Sequence, residues 1–207
     1  MINHLIASGI YYHYQGATHT ETRESWSLVR VDDGLVRLQV VYQHADTHIT
    51  ADMTLDHARC TRLSYAVTTD AGQIATGDIQ VLERRISAER VLNRVTRLAD
   101  TIPYTGTLVF DPPFVSSKGY AIGQLAGTVQ KSVFAPHLTA GDRAGDLAKK
   151  SARFIADAPL EIDGKQFQTK RYHYMRDYWV DEHDVVLQAR DDAHDYAIVL
   201  TEYQRTT

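Results

Sequence analysis

The sequence predicts an all-β protein, an antiparallel barrel or strongly curved sheet with at most one or two short helices. Three observations carry this. Short runs alternate apolar and polar residues, as in Ser27–Val31, Leu35–Tyr42 and Val185–Arg190, and alternation puts one set of side chains on a buried face. Asp32-Asp33-Gly34 and Asp163-Gly164 are hairpin signals, because Asp-Gly accepts the left-handed backbone of tight turns. Few stretches show helical period. We read residues 1–207 as one domain, a size that single β domains commonly reach.

The first half reads as a meander. Ile10–Gln15, Arg23–Val31, Leu35–His44, Thr47–Leu55, Thr61–Thr69 and Gln73–Leu82 are strands. Val91–Leu98 is a further strand, or Ala88–Leu98 a short amphipathic helix. Thr105–Phe110 is a strand that ends at Asp111-Pro112-Pro113-Phe114, since proline donates no ladder hydrogen bond. Ser116–Gly127 has no clean period and reads as a crossing segment. Thr139–Ala144 reads as a loop and Gly145–Arg153 as a helical turn or two. Ser151–Ile162, Gln166–Met175, Tyr178–Val180, Val185–Arg190 and Tyr196–Tyr203 return to strand, for about eleven to thirteen strands in all.

Composition narrows the function. With 43% hydrophobic residues the chain can bury a core. A net charge of −4, with Lys and Arg never clustered beyond pairs, gives no footprint for nucleic acid. No run approaches the roughly 18 apolar residues of a membrane helix. The N-terminal stretch lacks a basic region, so a cytoplasmic protein is expected, the rival being the mature form of an exported one. The single cysteine, Cys60, excludes an intrachain disulfide and reads as a half-buried strand-end residue.

Dinucleotide, P-loop, nucleophile-elbow and H-E-x-x-H motifs are all absent from the chain, so no cofactor is expected. His44 and His48 flank a turn near Asp46 but lack a third histidine at ligand spacing, so no metal is expected. His183 and His194 fall in acidic turns that read as solvated. Asp111 and His137 sit in irregular backbone, where sites often lie.

The aromatic content is the better lead. Twelve tyrosines and two tryptophans recur at strand positions, and tyrosine joins an apolar body to a polar tip. The expected partner is a small hydrophobic or aromatic molecule, lined by Trp26, Tyr65, Tyr172, Tyr174 and Trp179. Parity groups Phe167, Thr169, Arg171, His173 and Met175 on one face and Tyr172 and Tyr174 on the other. If the first face is inward, His173 moves a proton and Arg171 holds an anion. Tyr12 or Tyr14 then completes the set. The expected function is a cofactor-independent lyase, isomerase or cyclase working by acid–base chemistry. The alternative is a non-catalytic carrier of a lipid or other apolar ligand, and a purely structural role would leave the interior filled.

The closing pattern, Tyr178-Trp179-Val180-Asp181, a short turn, then Val185-Val186-Leu187, resembles the last strands of bacterial lipocalin-like and open half-barrel ligand carriers. The resemblance covers the C-terminal strands only. It implies a lipocalin-like architecture around a ligand.

Overall fold

A computed structural model describes residues 4–32, 35–127, 129–139 and 142–206. Eight strands form the meander: β1 (His4–Gln15), β2 (Thr18–Asp32), β3 (Leu35–His44), β4 (Thr47–Asp56), β5 (Arg59–Thr69), β6 (Gly72–Val81), β7 (Arg85–Leu92) and β8 (Thr96–Pro103). Then come β9 (Leu108–Phe110), α1 (Val115–Leu125), β10 (Lys131–Pro136), β11 (Gly145–Lys150), β12 (Arg153–Asp157), β13 (Leu160–Ile162) and β14 (Lys165–Phe167). The chain closes with β15 (Lys170–Tyr174), β16 (Arg176–Val180), β17 (Val186–Asp191) and β18 (Tyr196–Arg205).

Thirteen of these strands make one sheet in the order β12-β15-β16-β17-β18-β1-β2-β3-β4-β5-β6-β7-β8. Every pairing in it is antiparallel. The sheet is strongly curved, because α1 touches both β5 and β17, six places apart in that order. The fold is therefore the expected all-β, barrel-like one, with a single α-helix among the described residues, inside the curve. Residues alternate in burial along β1, β4 and β5, and the inward set, including Tyr11, Met53, Leu63 and Val67, is almost wholly buried. Burial of this apolar face is the main favourable term in folding such a sheet.

Four local expectations are corrected. Ser116–Gly127 holds α1, and β9, α1 and β10 form a β-α-β unit with β9 parallel to β10. Gly145–Lys150 is a strand paired with β10, so sheet pairing overrides the helix propensity of its Leu, Ala and Lys residues. Val91–Leu98 is neither one strand nor a helix. It turns at Asn93 and Arg94, both with positive φ, and β7 pairs with β8. The two long runs Ser151–Ile162 and Gln166–Met175 are each broken into two strands.

Asp163 (φ 50°) and Gly164 (φ 74°) close the β13–β14 hairpin with the two positive φ values of a type I′ turn. At the other Asp-Gly signal, β2 and β3 pair antiparallel with Asp32 opposite Leu35. Asp33 and Gly34 themselves lie outside the described residues.

Candidate functional site

The helix decides where a site forms. The two prolines stop β9 and leave Phe114 as N-cap, with no side-chain cap of its own. The cap comes from β2 instead. Glu24 is buried and accepts hydrogen bonds from the backbone N–H of Val115 (2.9 Å) and Ser116 (2.7 Å). These are orphan donors of the first helical turn, where a carboxylate also meets the positive end of the helix dipole. Burial raises the Glu24 pKa, against the two backbone bonds and the Lys118 charge that favour the anion.

A second buried group anchors the same turn. Asp111 accepts from Lys118 Nζ (2.5 Å) and from the Tyr174 hydroxyl (2.7 Å), and Lys118 also donates to the Pro112 carbonyl (2.8 Å). The irregular backbone at Asp111 thus carries a structural ion pair that ties the helix to β15.

Beside the helix N-terminus is a cavity of about 420 Å³, within the range of small-molecule sites. Its apolar wall is Ile49, Phe114, Val115, Pro136, Leu138 and Ile198. Its polar groups are His13, Glu24, Tyr42, Lys118, Arg176, Tyr178 and Tyr196. His13 is buried, its Nδ1 is hydrogen-bonded to the Tyr196 hydroxyl, and its Nε2 is buried without a partner among the described residues. Arg176 stands over the Tyr196 ring, 5.5 Å from its centroid. Burial first, then the charges of Arg176, His44 and His19, push the His13 pKa down to about 4. Burial pushes Tyr178 up to about 12 and raises Tyr42 and Tyr196. At neutral pH the site holds a neutral imidazole and protonated phenols.

The His13 shift has a consequence for stability. Its unfolded pKa is the ordinary 6.5 and its folded value about 4, so between these pH values the unfolded chain binds more protons. Stability from this group is complete above pH 6.5 and is lost as pH falls toward 4, by roughly 3 kcal/mol at most. Urea unfolding from pH 7 to 4 is expected to show a steeper loss in the native protein than in His13→Gln. Equal slopes would show that His13 is not held neutral.

The residues expected from sequence lie elsewhere. The face bearing Arg171 and His173 is the outer one, which corrects the inward assignment. Arg171 pairs with Asp177 and lies 4.9 Å from the Trp179 ring centroid, and exposed His173 contacts the same carboxylate at 2.8 Å. An arginine and a histidine sharing one aspartate at the surface account for that face. Tyr12 and Tyr14 are on the outer face of β1, packed against His19, so the four are not assembled with one another. The inward residues of β1 are Tyr11 and His13.

Of the expected lining, Trp26 and Tyr65 point inward but fill the core, where Gly9 and Gly77 leave room for their rings. Tyr174 is buried on Asp111. Tyr172 is half-buried against Phe154, and Trp179 belongs to the outer face. None of these five lines the cavity.

His44, hydrogen-bonded to Thr22 Oγ1 (2.6 Å), has the parity of inward Val40, and His48 the parity opposite to inward Ala51. They therefore do not converge. Among the described residues no three His, Cys, Asp or Glu side chains are grouped to hold a metal ion. The Cys60 thiol is buried and pushed up to about 12 by desolvation. His137 is half-exposed against Asp146 at 3.0 Å.

Sequence reasoning missed Glu24, His13, Lys118 and Arg176, and held Tyr196 only as one of the strand aromatics. The available signal was a charged or titratable residue on an apolar parity. Glu24 alternates with Trp26 and Leu28, and His13 with Tyr11.

These features define a β-barrel-like protein with an internal helix and a polar-tipped cavity. No family model matches the chain, and no curated protein matches it. In structure it is similar to a β-barrel-like protein of the domain of unknown function DUF1849 from Brucella abortus. The TM-score is 0.58, 98% of each chain is covered, and sequence identity is 10%. That likeness establishes the barrel-like fold. No helix among the described residues is long and apolar enough to cross a membrane.

Proposed function

We propose that this protein binds a small, mainly apolar molecule in the cavity beside the α1 N-terminus. One observation supports this above the rest: an apolar wall with a few convergent polar groups at one end, the usual composition of a small-molecule site. The reading includes a reducing, cytoplasmic setting, compatible with a lone buried thiol. The finer choice is between a carrier and a cofactor-independent lyase, isomerase or cyclase. Acid–base chemistry here would fall to His13 and Tyr196, not to His173. We favour the carrier, because Glu24 is committed to the helix and His13 Nδ1 to Tyr196, which leaves no free base among them.

The test is titration with the neutral fluorophore N-phenyl-1-naphthylamine. Saturable binding is expected in the native protein. It should weaken at least about tenfold in Leu138→Trp, which fills the cavity, and be unchanged in His173→Ala on the outer face. Absence of binding, or equal binding in Leu138→Trp, overturns the reading. Mass spectrometry of recovered ligands separates the two finer readings: unchanged compounds support a carrier and converted ones an enzyme.

A further inference from the structure

We infer that the cavity selects a carboxylate as the polar end of its ligand, held by Arg176 and by the Nε2–H of His13. This rests on the proposed binding role of the cavity and names its ligand class.

Arg37, Arg62 and Arg171 each pair with an aspartate on the neighbouring strand. Arg176 is half-buried and lines the cavity. It is hydrogen-bonded to Tyr196 and its charge acts on Asp191 at longer range, but unlike those three it has no carboxylate within 4 Å among the described residues. A guanidinium partly withdrawn from water is costly where its counter-charge is distant, and a ligand anion in direct contact lowers that cost.

The proposed site uses one tautomer of His13. In it the Tyr196 hydroxyl, its oxygen accepting from Arg176, donates to His13 Nδ1. The proton of the neutral imidazole is then on Nε2, the buried atom without a partner. The carboxylates around the helix N-terminus are already engaged. Glu24 takes two backbone N–H groups, and Asp111 takes Lys118 and Tyr174. The cavity's one guanidinium is therefore open to an anion, and the Tyr42 and Tyr178 hydroxyls can donate or accept as the occupant requires. A carboxylate accepts from a planar guanidinium through two parallel bonds and has lone pairs left for an imidazole N–H. The wall of Ile49, Phe114, Leu138 and Ile198 suits an aliphatic or aromatic body.

The experiment is competition against bound N-phenyl-1-naphthylamine by three ligands with one chain length: decanoate, decanol and decylamine. Decanoate should displace the probe from the native protein at least about tenfold more effectively than decanol, with decylamine weakest. Arg176→Gln should abolish the preference while decanol still competes. Equal competition by decanoate and decanol in the native protein overturns the inference and leaves the binding role standing. A preference that survives in Arg176→Gln also overturns it, by placing the anion elsewhere. If the probe itself does not bind, the binding role fails and the inference fails with it. The native-protein comparison decides the matter even if the variant does not fold.

Discussion

Replacing Gly119 by alanine is expected to cost about 3 kcal/mol of stability, the upper part of the usual range for overpacking. In a chain of this size that lowers the thermal midpoint by roughly 6–12 °C. A Cβ at Gly119 would come within 1.7 Å of the Asp184 carbonyl oxygen and 2.5 Å of its carbon. Neither atom is the tip of a flexible side chain. Asp184 has φ 61° in the turn between β16 and β17, and that turn is stiff. The Asp181 side chain accepts the N–H of His183 (2.9 Å) and of Val185 (2.8 Å), and the backbone N–H of Asp181 donates to the Val185 carbonyl (2.9 Å).

The helix must therefore move, and with it the cap on Glu24 and the Asp111 ion pair. Alanine favours a helix over glycine by about 1 kcal/mol, so the net loss measures a steric cost larger than that gain. Gly123 is the internal control. Its added Cβ would meet only the Asp184 Oδ1 tip, at 2.9 Å, which can rotate. Gly123→Ala should change stability by less than about 1 kcal/mol, propensity offsetting contact. Chemical unfolding of the two variants checks this, and a Gly119→Ala protein as stable as the native one refutes the backbone contact.

Removing the carboxylate of Glu24 is expected to cost about 3 kcal/mol, because two buried N–H groups lose their acceptor at about 1–3 kcal/mol each. Relief of the buried carboxylate's own desolvation offsets part of this. Glu24→Ala exposes the full effect. Glu24→Gln keeps one acceptor oxygen but turns an amide donor toward the other N–H, so it should recover no more than about half of it. The pH response has a definite sign. The folded pKa of Glu24 is raised above 4.5, so from pH 4.5 upward the folded state holds the proton longer than the unfolded chain. Its contribution therefore falls as pH rises through the folded value, opposite to that of His13. Urea unfolding of Glu24→Gln from pH 4 to 8 should lose this downward component. Amide hydrogen exchange should show Val115 and Ser116 exchanging faster than in the native protein. Unchanged protection at those two amides would show that Glu24 does not cap α1.

Much of the architecture was legible because sheet pairing leaves a two-residue period in the chain. Runs such as Leu35–Tyr42 and Thr61–Thr69 needed nothing beyond local alternation. The Asn93-Arg94 turn was hidden because it lacks the glycine that usually supplies positive φ, and the β7–β8 pairing imposes it. Helix α1 was hidden by Gly119 and Gly123, which weaken helical propensity and are retained for the close approach to Asp184. The cavity was not legible. Its lining residues His13, Arg176 and Tyr196 are not the expected set, and Arg171 and His173 contact Asp177 at the surface instead.

The sequence by itself determined the β class, the antiparallel pairing of the large sheet and which residues share a face, since parity is a property of neighbouring residues. It did not determine which face of each strand is inward. Along Gln166–Met175 both faces mix apolar with polar residues, and the choice follows from how the whole sheet curves. Only the tertiary structure placed Glu24 against an N-terminus 91 residues away and brought β1, β16 and β18 to one cavity. Contacts of that separation are fixed by global burial and by satisfying buried donors, and neither leaves a mark in the local pattern.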